Sequence, residues 1–366
     1  MLAQIQSTLI AAAICTSGGV LFYFLHAPLP WMLGSLTAAA LAAVLGGRWF
    51  IPSALRGAAR PVVGVLTGSA FTAATFAGML DWWDAILVVI GQAMVVTSLG
   101  YAFFRRFARF DRESSLFAAA PGGVGEMALL AGSMGGDVKG IVVVHLMRIL
   151  IILFAVPFIA QLAVGHPIGR MLPNAQHNGL TLIDWGVLSL CAVGGYGLGR
   201  LIKIPAGLMI FPMLLSAAVH AAGLTAAGPP GWLVAVVQIV IGGVVGARFA
   251  GIRWREMSRT IACGVGWAVI MLGIAAASAW GGSWLLGRSF LAMMLALAPG
   301  GTVEMTILTF SVGFEVAFVV TCQVCRVLFV LLLTPAFVRL LPRRPAAIGS
   351  TTAPPISRSK ENPDLD

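Results

Sequence analysis

Pro121-Gly122-Gly123-Val124-Gly125-Glu126-Met127 and Pro299-Gly300-Gly301-Thr302-Val303-Glu304-Met305 are two copies of one motif, 178 residues apart. The same offset carries Gly64 and Gly68 onto Gly242 and Gly246, Phe71 onto Phe249, Asp137 onto Glu315, Arg148 onto Arg326 and Pro157 onto Pro335. Near the start of each half it shortens by a residue or two, so that Pro28 answers to Pro205 and Cys15 to Cys191. Self-similarity of this extent marks a duplicated structural unit. It divides the chain into a first repeat over residues 5–165, a second over 180–342, and a tail over 343–366 whose Pro, Ser, Arg and Lys content predicts disorder.

The chain around the motifs is 59% hydrophobic and 10% charged over 366 residues, where a soluble domain carries about a quarter charged residues. This is the composition of an integral membrane protein. Six apolar segments fall in the first half, near 7–25, 29–45, 61–79, 85–107, 114–134 and 139–162, and six in the second, near 183–201, 205–222, 232–250, 261–280, 289–312 and 316–341. At about 20 residues per crossing they leave no room for a large soluble catalytic or DNA-reading domain. The net charge of +10 is then a statement about topology, and no nucleic-acid partner is expected. The five cysteines lie in apolar runs, which suggests packing rather than disulfides or a zinc site. The first segment lacks a basic leader and reads as a retained helix.

Basic residues mark cytoplasmic loops. In the first half they follow segment two (Arg48, Arg56, Arg60) and segment four (Arg105, Arg106, Arg109, Arg112). In the second half they follow segment one (Arg200, Lys203), segment three (Arg253, Arg255, Arg259) and segment six (Arg339, Arg343, Arg344). The two patterns are out of phase by one crossing, which an odd number of crossings per half repairs. Segment five, broken by Pro-Gly-Gly in both halves, is the one that should enter and leave on the same face. The expected fold is an all-α polytopic membrane protein of two inverted repeats, each of about five transmembrane helices plus a broken re-entrant segment, with both termini cytoplasmic. Arg288 is the exception to the charge rule.

Non-helical backbone at membrane depth is tolerated only against protein or a water-filled cavity, and paired breaks in inverted repeats point to a secondary transporter with its site near the midplane. Arg148 and Arg326 lie nine and ten residues into their segments, about 14 Å deep at 1.5 Å per residue in a core roughly 30 Å thick. A charge there costs about 3 kcal/mol unless paired or hydrated. The functional reading makes Arg148 and Arg326 ligands of an anionic group, most simply a carboxylate. Gly122, Gly123, Gly300 and Gly301 would line the site, and His145 and Gln323, three residues before the arginines on the same helix face, would extend it. Glu126 and Glu304 would carry protons or bind Na⁺. The competing reading pairs each Glu with an Arg as a buried salt bridge that binds nothing. The five histidines are too scattered for a metal site, so neither an enzyme nor a metal or other cofactor is expected.

The two Ala-Pro-Gly-Gly motifs (from Ala120 and from Ala298), the Pro-led second segments and the whole-chain duplication resemble the bacterial AbrB membrane protein family. Members of that family carry labels as transporters, ammonia monooxygenases or regulators of gene expression. The resemblance covers about residues 5–342 and implies a polytopic protein of the cytoplasmic (inner) membrane. The expected function is movement of a small anionic metabolite coupled to H⁺ or Na⁺. The alternative is a membrane protein that regulates gene expression, through partners or through the level of a metabolite.

Overall fold

Lipid offers no hydrogen-bond partners, so a chain of this composition must close its backbone bonds within each segment. In the computed structural model every regular element among the described residues is a helix. The structure describes residues 2–47, 51–165, 168, 180–202, 204, 206–252, 254–313 and 315–340. The tail and the basic residues Arg48, Lys203, Arg253, Arg343 and Arg344 lie outside them.

The first half comprises α1 (Leu2–Phe24), α2 (Pro30–Val44), α3 (Ser53–Gly68), the short α4 (Ala73–Gly78), α5 (Trp83–Phe103), α6 (Arg112–Ala119), α7 (Val124–Ser133) and α8 (Val138–Val164). The second comprises α9 (Leu182–Ile202), α10 (Gly207–Ala221), α11 (Gly231–Ala247), α12 (Ser258–Leu286), α13 (Phe290–Leu297), α14 (Thr302–Val312) and α15 (Val316–Leu340). Among the described residues six helices are long and apolar enough to cross a bilayer, and they are the first, fourth and sixth segments of each half. The second and third segments are shorter than the sequence suggested. At 15 to 17 residues they span about 22–26 Å, less than a core of roughly 30 Å. Helix α3 also begins at Ser53, with Pro61 inside it rather than at its start.

The short helices hold the halves together. Helix α2 packs against α11 and α3 against α10, so each half lends its third segment to the second segment of the other. Glycines allow the approach. A Cβ on Gly64 or Gly68 would collide with the carbonyl oxygens of Met209 and Met213, and one on Gly242 or Gly246 with those of Met32 and Leu36. Ser216 Oγ adds a hydrogen bond to Val65 O at 2.9 Å. The pairings recur with the halves exchanged: α1 with α2 as α9 with α10, α5 with α6 as α12 with α13, α8 with α12 as α15 with α5.

Segment five is two helices in both halves. Proline forces the preceding residue out of the helical region, and Ala120 and Ala298 are extended, with ψ of 128° and 123°. Chain direction resets at Gly123 and Gly301, with φ, ψ of −70°, 141° and −71°, 141°, before α7 and α14 begin. Pro121, Gly122, Pro299 and Gly300 are buried, so the open backbone faces protein.

The two ends of each broken segment lie close together. Ser114 Oγ, in the first turn of α6, accepts from the Asp137 N–H at 2.6 Å, and Asp137 in turn caps α8 through Gly140 N at 3.1 Å. In the second half the Arg288 guanidinium, just before α13, sits 4.6 Å over the Phe318 ring at the start of α15. Arg288 also donates to Asp81 O at 3.0 Å, which gives the exceptional cation of the charge pattern a local partner.

Candidate functional site

In an unbroken helix the carbonyls of Phe117 and Leu295 would accept from the residues four positions on. Those residues are Pro121 and Pro299, which carry no N–H. Side chains supply what the prolines cannot. His145 Nε2 on α8 donates to Phe117 O at 3.0 Å, and Gln323 Nε2 on α15 donates to Leu295 O at 2.9 Å. A carbonyl only accepts, so the proton of His145 is on Nε2 and its Nδ1 is a bare acceptor.

One turn further along the same faces, the arginines close the rest of the break. Arg148 donates from Nη2 to Gly122 O at 2.7 Å and from Nη1 to Ala120 O at 3.3 Å. Arg326 Nη1 reaches Ala298 O at 2.9 Å, with Ala296 O and Leu297 O at 3.4 Å. Both side chains are at most 2% exposed. Gln92 of α5 crosses to the second break and donates to Leu297 O at 3.2 Å. The sequence analysis passed over Gln92; the signal was an amide in the middle of the apolar run 85–96.

The ion pairs of the competing reading, between Glu126 or Glu304 and the arginines, are not formed among the described residues. Among the described residues neither arginine has an acidic partner within salt-bridge distance; each bonds backbone carbonyls at the break instead. The carboxylates instead fold back over their own helix starts. A Cβ on Gly123 would collide with Glu126 Oε2, and one on Gly301 with Glu304 Oε2. Both acids occupy the first helical turn, where the helix dipole favours negative charge. Gly122 and Gly300 make room in the same way for Met127 and Met305. The four glycines of the motif thus have an internal steric role, whatever they line.

The two centres are near each other. Arg148 lies within reach of electrostatic repulsion from Arg326 and of attraction from Glu304. Helix α8 packs on both arms of its own broken segment and on α13 and α14, and α15 does the reverse. Some polar atoms at the centre have no partner among the described residues. Arg148 Nε, Arg326 Nε and Nη2, His145 Nδ1 and Gln323 Oε1 are all buried and unbonded. Three donors on cations and two neutral acceptors in one buried region can receive an anion, water or a small cation. Among the described residues no three His, Cys, Asp or Glu side chains converge to hold a metal.

Residues 31–342 match the family described as "Transition state regulatory protein AbrB". The chain belongs to the AbrB family. The match takes in both broken segments and both arginines. Among the relatives of this chain, "Uncharacterized protein YhjN" of Bacillus subtilis (strain 168) is 27% identical over 354 residues, 90% of this chain and 91% of that protein. "Putative regulator AbrB" of Escherichia coli (strain K12) is 22% identical over 329 residues, 89% of this chain and 94% of that protein. The similarity therefore spans nearly the whole of each chain.

Proposed function

We propose that this AbrB-family protein is a secondary transporter of a small, carboxylate-bearing anion, coupled to H⁺ or Na⁺. It would work in the cytoplasmic membrane with both termini cytoplasmic and without a cofactor. One observation carries the reading: among the described residues the buried donors Arg148 Nε, Arg326 Nε and Arg326 Nη2 have no partner. A charged donor buried without an acceptor is costly, and an anion that arrives and leaves would complete the set. Glu126 and Glu304, at the N-terminal turns of α7 and α14, are then the coupling carboxylates.

The inverted arrangement of repeats 5–165 and 180–342, each with five crossings and one re-entrant hairpin, is supported by contacts between loops that it assigns to one face. Ser114 meets Asp137 across the first hairpin. Arg288 meets Asp81, Arg259 Nε donates to Phe107 O at 2.8 Å, and Leu29 N donates to Ile168 O at 3.1 Å.

Reconstitution tests the reading. Purified protein in proteoliposomes is supplied with a panel of mono- and dicarboxylates under imposed H⁺ or Na⁺ gradients, comparing wild type with Arg148→Gln and Arg326→Gln. A gradient-dependent uptake or current lost in both variants is the expected result. A signal that survives both substitutions would return the arginines to the backbone role alone. Silence from folded protein over the whole panel would favour the second reading, a membrane regulator of gene expression. The family description and the name of the Escherichia coli relative speak for that reading.

A further inference from the structure

Glu304 belongs to a second cluster that the repeat does not duplicate. With Val303 it lines a cavity of about 80 Å³ whose other polar walls are Arg60 of α3 and Arg248 at the C-terminal end of α11. The remaining walls are apolar, among them Val240 and Val244. Both arginines are exposed, Glu304 is partly buried, and among the described residues neither guanidinium has a hydrogen-bond or ion-pair partner. At the offset of 178 residues the equivalent of Arg60 is Gln238, and that of Arg248 is Ala70. Gln238 is buried with Oε1 unbonded. The cationic cluster therefore exists at one broken segment only. A bias of basic residues toward cytoplasmic loops scatters them along a surface; it does not bring one from each repeat to a single carboxylate at the start of a broken helix.

We infer that Arg60, Arg248 and Glu304 form a proton-linked anion-binding vestibule, which takes the carboxylate headgroup of a small anion together with one proton on Glu304. The cavity has room for such a headgroup in place of two or three waters, at about 30 Å³ each. While Glu304 is ionised, its charge and that of the ligand compete for the same two guanidiniums. With Glu304 protonated both guanidiniums belong to the ligand, so binding strengthens as pH falls. The charged residues on the elements packed around α14 are Arg56 and Arg60 on α3, Lys139 and Arg148 on α8, Arg326 and Arg339 on α15, and Arg248 at the end of α11. All are basic residues, and all but Lys139 are guanidiniums. His145, also on α8, is fully buried and committed to Phe117 O. Glu304 is thus the group in this set placed to exchange a proton at the mouth of the cavity. In the topology proposed above the vestibule opens to the cytoplasm, and the inference rests on the transport reading only for where the anion goes next.

The test needs no knowledge of the natural ligand. Val303→Cys is introduced in the full-length chain in nanodiscs, with the unsubstituted protein reporting the background from the native cysteines, four of them buried and Cys325 partly so. Modification rates are measured with an anionic methanethiosulfonate (the ethylsulfonate) and a cationic one (the ethyltrimethylammonium). Each is normalised to a free thiol. The anionic reagent should react about tenfold faster, and more salt should erase the difference. Arg60→Gln with Arg248→Gln should abolish the preference, while Arg60→Lys with Arg248→Lys should keep it and show that the cleft tolerates substitution. Acetate or succinate should slow the anionic reagent more at acid than at neutral pH, and Glu304→Gln should protect equally at both. Absence of any charge preference overturns the vestibule. Protection independent of pH in the Val303→Cys protein overturns the proton linkage. Failure of transport in proteoliposomes with the charge preference intact would sink the transport reading and leave the vestibule standing.

Discussion

Pro121 and Pro299 each delete one N–H, and the consequences can be followed atom by atom. The carbonyl orphaned by each proline is met by the side chain three residues before an arginine, and the arginine meets the carbonyls of the break itself. The two repeats solve the same deficit with different chemistry, an imidazole in one and an amide in the other. An unsatisfied buried acceptor costs about 1–3 kcal/mol, which gives an ordering that can be tested. Gln323→Leu leaves Leu295 O with no donor and should lower stability by about 2 kcal/mol. Gln92→Leu should cost less than about 1 kcal/mol, because Leu297 O keeps Arg326. Unfolding midpoints of the two variants in detergent check this, and a larger loss for Gln92→Leu would refute the carbonyl accounting. The place of the arginines inside long apolar helices and their coincidence with the breaks were legible in the chain. Which atoms they bond was not, since helical spacing fixes the face on which a side chain lies but not the neighbour that fills the space in front of it.

At the scale of elements, the two ends of each broken segment are tied, by Ser114 to Asp137 in one half and by Arg288 to Phe318 in the other, as the proposed hairpins require. Single cysteines at Glu113 and Ser133 should therefore be labelled by a membrane-impermeant maleimide from the same face, the cytoplasmic one in the proposed topology. Cysteines at Trp284 and Glu315 should be labelled from the opposite face. Labelling of Glu113→Cys and Ser133→Cys from opposite sides would replace the hairpin by a crossing. The breaks could be read from sequence because proline acts locally, on its own φ and on the residue before it. Helix lengths were less legible. Hydropathy does not distinguish a segment in lipid from one buried against protein, and α2, α3, α10 and α11 are short helices packed on one another.

For the whole molecule, the exchange of α2 onto α11 and α3 onto α10 makes each half depend on the other. If the chain is cut between Asn174 and Ala175 and the two pieces are co-expressed, they should copurify as a folded complex, and either piece alone should be degraded or aggregate. Recovery of a folded single half would show that the repeats are independent units. Gly68→Leu or Gly246→Leu, which places a side chain against backbone of the facing helix, should weaken that copurification.

Membrane class, duplication and the positions of both breaks follow from composition, periodicity and proline. These are properties of a residue and its near neighbours, and the chain displays them directly. Two features come from folding alone: the commitment of the arginines to carbonyls rather than to the glutamates, and the meeting of Arg60 with Arg248 and Glu304. Both join residues from separate helices, and the second joins separate repeats, whose distances are set by helix packing and which no pattern within one segment encodes.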